Sequence, residues 1–367
     1  AGSGLHAMPR SGSALPPRVA LLADGQLLGA TAKTAIGVLR YASYPVVAVI
    51  DSTRAGTDAA QHVGVGRGVP VVATVEEAIA RGAEVVLIGT AVAGGRIAER
   101  DRPFLAEALR RGLEVWNGLH ERVLDDPSLR EAARAGGGRV RELREPPNDL
   151  DVGGHRRPRA GATVVLTVGS DAAVGKMTAS LEIVAALRRA GRTAAFVATG
   201  QTGIAIAGSG ISVDAVVADF VAGAAERLVC EAAESADWVI VEGQGSLTHP
   251  GFSGVTLGLL HGAAPHRLVL CHDASRRAVK GFDALPLRGL RDLVRIYEDA
   301  ALWSRPPGAT GVPVVAVALN TVALDPREAD EAIARASAET GLPAADPVRE
   351  GPAGADRIGA AILGAAR

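Results

Sequence analysis

Cysteine is nearly absent from this chain: its 367 residues hold only Cys230 and Cys271. No Cys/His ligand spacing surrounds them, so a disulfide scaffold and a structural zinc site are both excluded. Charge of one sign is missing too, since 39 basic and 40 acidic residues leave a net charge of −1. That balance offers no electrostatic footprint for nucleic acid or a membrane surface. No apolar run reaches the roughly 18 residues that span a bilayer. Repeats, heptads and low-complexity tracts are lacking, and the 45 glycines follow no period, which sets collagen and disorder aside. What is present is a length suited to two domains and a hydrophobic fraction of 48%, ordinary for a globular protein. A cytoplasmic protein is expected. Residues 1–17, with Met8 inside them, read as an added tag rather than a signal peptide.

Lysine is scarce as well. Only Lys33, Lys176 and Lys280 stand among the 39 basic residues. In an arginine-biased chain, lysine persists where a compact ammonium is needed, which makes all three candidates for a site.

Lys176 lies in the most informative stretch, Gly169-Ser-Asp-Ala-Ala-Val-Gly-Lys-Met-Thr178. An apolar run, 163–168, precedes it and a helical pattern follows it. Strand, glycine-rich turn and helix in that order make a phosphate-binding loop. Its amides, its helix N-terminus and the lysine all aim at an anion. Gly169, Ser170, Asp171, Ala172, Ala173, Val174, Gly175, Lys176, Met177 and Thr178 are therefore the expected cofactor-binding residues. The loop departs from the common pattern: five residues separate its glycines, and Met177 stands where a magnesium-binding hydroxyl is usual. Either Thr178 serves the metal, or the phosphates are held and never cleaved.

Residues 18–145 alternate β-branched apolar runs with helical patterns. They read as an N-terminal Rossmann-like, doubly wound parallel sheet. Asp24-Gly25, Ala32-Lys33-Thr34 and Gly89-Thr90 fall where such sheets place ligands, but no Gly-x-Gly-x-x-Gly supports a dinucleotide. Residues 146–161 read as a linker. Residues 162–367 resume the alternation as a C-terminal P-loop NTPase-like α/β domain. Its expected strands are 163–168, 193–198, 238–241, 268–271 and 312–319. One helix is expected over 214–233, with Asp214 and Asp219 on different faces.

Glu242 ends the strand of Asp237-Trp-Val-Ile-Val-Glu242 at the ligand-bearing edge of that sheet. A carboxylate there can hold a metal or accept a proton from an amine. Thr178 and Glu242 are the metal ligands if Mg-ATP is used. His249, in a loop downstream, is a candidate general base, so Lys176, Glu242 and His249 form the expected catalytic set. Gln201, Thr202 and Gly203 follow the second strand of that domain as a polar tip. With Gln244, Ser246 and Lys33 they make the expected substrate-binding set. Asn320 ends the last expected parallel strand, where its amide can face an adenine edge.

These residues resemble a known bacterial and archaeal family, formerly a domain of unknown function and now represented by D-glutamate N-acetyltransferase. The family run Gly-Thr-Asp-x-x-x-Gly-Lys-Met matches Gly169–Met177, with Ser170 for threonine. Ala198–Gly203, Val213–Asp219, Glu242–Ser246, Ala32–Thr34 and Gly118–His120 follow in the family's order. A more distant likeness is to dethiobiotin synthetase, an ATP-dependent enzyme matched by Val174-Gly175-Lys176, Glu242-Gly243 and Asn320. The post-lysine threonine of that enzyme is absent here.

The resemblance implies an N-acyltransferase that uses acetyl-CoA, bound at the P-loop, on the amino group of a small amino acid. The alternative is an ATP- and Mg²⁺-dependent ligase or kinase that activates a carboxylate, and a third reading is a nucleotide-gated regulatory protein. The expected partner is a small amino-acid substrate, with neither nucleic acid nor membrane, and the expected assembly is a homo-oligomer.

Overall fold

The computed structural model describes residues 16–364 apart from Ala30 and Val92, so most of the expected tag lies outside the described residues. The chain forms two compact units. One comprises the chain to Glu145 together with Gln201–Ser212, and the other comprises Pro146–Gly200 together with Val213 onward.

The first unit holds six parallel strands: β1 (Val19–Leu22), β2 (Val46–Ile50), β3 (Val71–Val72), β4 (Val85–Ile88), β5 (Glu114–Asn117) and β6 (Arg139–Glu142). Their order, β3-β2-β1-β4-β5-β6, reverses direction between β1 and β4. Helices α1 (Lys33–Tyr41), α2 (Ala60–Val63), α3 (Val75–Ala80), α4 (Arg102–Arg110) and α5 (Pro127–Gly136) connect them. Every residue of β1 and β4 is buried, as the unbroken apolar runs require of a sheet covered on both faces. Strand β6 escaped the sequence reading because Arg-Val-Arg-Glu is charged, which suits an edge strand.

Helix α6 (Lys176–Arg189) belongs to the second unit, whereas α7 (Gln201–Ala207) belongs to the first. Gln201, Thr202 and Gly203 thus open a helix and are not a loop tip. Tyr44 donates a 2.6 Å hydrogen bond to Ala205 O, and the hydroxyls of Thr34 and Thr202 meet at 3.0 Å. Burial of Thr202–Ile206 makes a helix of a segment whose glycine and β-branched residues favour none.

In the second unit β7 (Thr163–Gly169), β8 (Ala194–Val197), β9 (Trp238–Val241), β10 (Arg267–Asp273), β13 (Val314–Asn320) and β14 (Ala344–Ala345) form a parallel sheet, ordered β14-β13-β10-β7-β9-β8. A separate exposed hairpin pairs β11 (Ala278–Val279) with β12 (Phe282–Pro286). The remaining helices are α8 (Val221–Ala233), α9 (Ser253–Ala263), α10 (Leu290–Ala300), α11 (Pro326–Thr340) and α12 (Pro352–Gly364).

Two helix expectations need correcting. The 214–233 helix is instead two short 3₁₀ turns, Val213–Ala215 and Ala218–Phe220, followed by α8, because Val217 is extended (ψ 136°). Asp214 and Asp219 therefore sit in separate turns. Helix α9 went unread because its glycines lower helix propensity. They serve close packing: a Cβ on Gly258 would lie 2.8 Å from Val221 Cγ1, and one on Gly262 would lie 2.1 Å from Ala222 O.

The 146–161 segment is no free tether. Buried Glu226 on α8 accepts the amides of Gly154 (3.2 Å) and Arg156 (2.9 Å) and pairs with the Arg156 guanidinium at 2.7 Å.

Candidate functional site

The phosphate loop joins fully buried β7 to α6. Ala173 (φ 55°) and Gly175 (φ 100°) are left-handed, a conformation that turns successive amides inward. Among the described residues, no protein acceptor takes the amides of residues 173–176. Lys176 folds back over the turn, and its Nζ donates to Asp171 O at 2.9 Å. Gly169 suits this close approach, since a Cβ would meet the backbone oxygen of Asp171 at 2.8 Å. Burial pushes the Lys176 ammonium down to about 8, against the attraction of Cys271, Asp171 and Glu242.

Ser170 and Asp171, expected to touch the ligand, are committed to the protein. The Ser170 amide donates to Cys271 O at 2.9 Å, and its hydroxyl meets His272 Nδ1 at 2.9 Å. Asp171 is fully buried. Its Oδ1 accepts the Ala172 amide (2.7 Å), while Oδ2 accepts Arg276 Nη1 (3.0 Å) and the Lys280 amide (2.8 Å). Arg276 also donates to Ala172 O at 2.5 Å, tying the loop to the segment before the hairpin. Met177 and Thr178 lie half-buried in the first turn of α6. Asn320 ends β13, and its Cβ lies 3.8 Å from where a Cβ on Gly175 would stand. Its Oδ1 accepts the Val322 amide at 3.2 Å.

Glu242 follows β9 and is 5% exposed. One oxygen, Oε2, accepts the amides of Thr199 (3.0 Å) and Gly200 (3.2 Å). Burial outweighs these bonds, the Lys176 charge and Gln244, and pushes the carboxyl up to about 7. Thr199 donates its hydroxyl to Glu242 O (2.6 Å) and accepts Gln244 Nε2 (3.1 Å). The Gly243 amide donates to Thr167 Oγ1 at 3.0 Å.

Beyond Gly245 (φ 62°), Ser246 is fully buried beneath Tyr297, whose hydroxyl stands 3.4 Å from Ser246 Oγ. His249, also buried, has both ring nitrogens engaged. Nδ1 accepts the Gly251 amide at 3.0 Å, and Nε2 donates to Lys280 O at 3.1 Å. It stacks on Phe252 with ring centroids 4.3 Å apart. With both nitrogens engaged by backbone groups, His249 props the hairpin.

Lys33, Gln201, Thr202 and Gly203 belong to the first unit. Lys33 is exposed at the start of α1. Gln201 accepts Arg144 Nη1 at 3.2 Å, and Thr202 meets Thr34. The second unit gathers Lys176, Glu242, Gln244, Ser246 and Asn320. Among the described residues no group of three or more His, Cys, Asp or Glu side chains is placed to hold a metal ion, and no helix is long and apolar enough to cross a membrane. Arg276, Thr199 and Tyr297 were missed from the sequence. Only Tyr297 left a trace there, as one position in the apolar stripe Leu290, Leu293, Tyr297, Ala300.

Comparison with known proteins agrees with this architecture. Residues 52–146 match the Rossmann-like N-terminal domain of DUF1611, and residues 151–358 match its P-loop domain, both described as domains of unknown function. A D-glutamate N-acetyltransferase of a Pseudoalteromonas species is 36% identical over 276 residues, covering 75% of this chain and 81% of the relative. One from Tritonibacter scottomollicae is 37% identical over 278 residues, covering 76% and 81%. A crystal structure of a DUF1611 family protein from Anabaena variabilis, 39% identical, covers 95% of this chain and 99% of its own with a TM-score of 0.84. A Rossmann-like sheet followed by a P-loop sheet, with these relatives along most of its length, makes this chain a member of the DUF1611 family.

Proposed function

We propose that the chain is an N-acyltransferase that moves the acetyl group of acetyl-CoA to the amino group of a small amino acid. D-glutamate is the first candidate, because the two relatives carry that name. The observation that carries the reading is Glu242, a buried carboxylate pushed up to about 7 beside a lysine pushed down to about 8. A base poised near neutrality can take the proton of a substrate ammonium. The freed nitrogen then attacks the thioester carbonyl carbon, the C–N bond forms and the C–S bond breaks. The nitrogen sheds its second proton as the amide forms, the departing thiolate takes that proton up, and Glu242 returns the first to solvent, giving the N-acetyl amino acid and free coenzyme A.

The amides of residues 173–176 and the Lys176 ammonium would hold the donor's phosphates, with Thr178 and Asn320 flanking them. Met177 in place of a metal-binding hydroxyl supports a grip on phosphates that are never cleaved. A cytoplasmic location accompanies this reading, because the acyl donor is an intracellular metabolite.

Thermal-shift binding of acetyl-CoA and of ATP with Mg²⁺, on the wild type and Lys176→Ala, tests it together with thiol release in the presence of D-glutamate. Stabilisation by acetyl-CoA that is lost in the variant, with coenzyme A released on adding D-glutamate, is expected. Stabilisation by ATP and Mg²⁺ alone, with ADP as product, would replace the proposal with a ligase.

A further inference from the structure

One carboxylate of the N-terminal unit does nothing for its own helix. Asp101 stands at the N-cap of α4, where an aspartate ordinarily turns an oxygen onto the first free amides. Here the cap residue is already helical (φ −81°, ψ −24°) and its side chain makes no cap bond. Asp101 is fully buried, and neither carboxylate oxygen accepts a hydrogen bond. A buried charge without a partner is among the costliest arrangements a core can hold. Such a group calls for a partner from outside the fold.

Its surroundings indicate what that partner is. Burial and the neighbouring Asp24 push the Asp101 carboxyl up to about 6, against the pull of Arg100. Asp24 lies just beyond β1, at the reversal of strand order between β1 and β4 where sheets of this kind take ligands. Asp24 Oδ1 accepts the Ser52 amide (2.8 Å) and hydroxyl (2.6 Å). Arg100, exposed, lies over the same turn. Its Nη1 donates to Asp24 O at 3.1 Å, and a Cβ on Gly25 would come within 2.2 Å of that nitrogen. Arg100 and Asp24 thus meet on one turn, and Asp101, next to Arg100 in the chain, feels the charge of both.

Other ligands fit less well. A hard divalent cation wants about six oxygen ligands, and among the described residues no metal-holding group is gathered. A dinucleotide would want its ribose on the acid ending β2. Asp51 Oδ1 is instead committed to the Gly25 amide (3.0 Å) and to the Thr53 amide and hydroxyl, and Oδ2 to Arg54. An ammonium, with three donors and one positive charge, answers the carboxylate pair, and the adjacent guanidinium answers a carboxylate.

We propose that Asp24, Asp101 and Arg100 form a receptor for the zwitterionic head of an α-amino acid, with the aspartates taking its ammonium and the arginine its carboxylate. The choice of ligand rests on the amino-acid reading above, and the geometry rests on the N-terminal unit alone.

Calorimetric titration of the full chain, with and without coenzyme A, tests the receptor. The probes are D-glutamate and glutarate, which lacks the ammonium. The wild type should bind D-glutamate and not glutarate. Asp101→Asn should weaken D-glutamate about tenfold or more, the scale of one charge-assisted hydrogen bond, while melting no lower than the wild type. Arg100→Gln, on the surface, should weaken it without disturbing the fold. Absence of D-glutamate binding in the wild type, equal binding in both variants, or equal binding of glutarate would overturn the receptor. Acetylation of D-glutamate without any Asp101-dependent binding would overturn the receptor and leave the acyltransferase standing. Asp101-dependent binding without release of coenzyme A would do the reverse.

Discussion

The hydroxyl of Tyr297 donates a 2.7 Å hydrogen bond to the carbonyl oxygen of Gly169, the last residue of β7. The phenol oxygen itself accepts the Leu247 amide at 3.1 Å. One fully buried phenol therefore joins the start of the phosphate loop to the segment that follows Glu242. The loop's position is set from helix α10 as well as from its own strand.

Tyr297→Phe should lower stability by about 1–3 kcal/mol, because it strands a buried carbonyl and a buried amide while keeping the ring. Urea unfolding measures this, and affinity for the proposed acyl donor should fall in parallel. An unchanged unfolding midpoint would show that the hydroxyl supports nothing.

Gly243→Ala should prevent the native packing of the loop after β9. A Cβ there would stand 1.8 Å from Thr167 O and 3.0 Å from Lys176 Cδ, and neither strand nor lysine has space to yield. Little soluble folded protein is expected on expression. A variant that folds and melts like the wild type would show the sheet edge to be more pliant than its geometry indicates.

Stability should depend on pH through two groups with opposite slopes. Glu242 moves from an ordinary 4.5 to about 7. Between these values the folded chain keeps a proton that the unfolded chain has released, so stability falls as pH rises. Lys176 moves from 10.5 to about 8. Between those values the unfolded chain holds the extra proton, so stability rises with pH. Glu242→Gln should remove the fall. It also removes an attraction that keeps Lys176 charged, so the rise should begin at lower pH. Denaturation across a pH series checks both slopes, and a Glu242→Gln profile parallel to the wild type would refute the assignment.

Asp171→Ala should release the segment running into the β11–β12 hairpin, since Arg276 and the Lys280 amide both lose their acceptor. Limited trypsin digestion, mapped by mass, should show faster cleavage after Lys280. Unchanged cleavage kinetics would mean that His249 alone holds the hairpin.

The sheets were legible because buried parallel strands are written as near-continuous β-branched runs, as in Val19–Leu22 and Thr163–Val168. The phosphate loop was legible because its glycines and lysine are local in sequence. What stayed hidden depends on distant partners. Arg139–Glu142 is a strand only because β5 lies beside it, and Gln201–Ala207 is a helix only because α1 packs against it. Asp171 reads locally as part of the phosphate loop, and its bond to Arg276, more than a hundred residues away, has no local signal. Asp24 stands out in the sequence beyond the first strand, but nothing there distinguishes Asp101 from an ordinary helix cap.

Helix α7 has a last consequence, for how the chain comes into being. The Rossmann-like sheet finishes its sixth strand at Glu142, yet Thr34, Tyr44 and Arg141 bond to Thr202, Ala205 and Gly208. During translation, then, the first unit must wait for the ribosome to add the opening strands of the second before its own cover can dock. A gene split after codon 145 would sever a folding unit, and the N-terminal half would be born with a wound whose cover the other half carries.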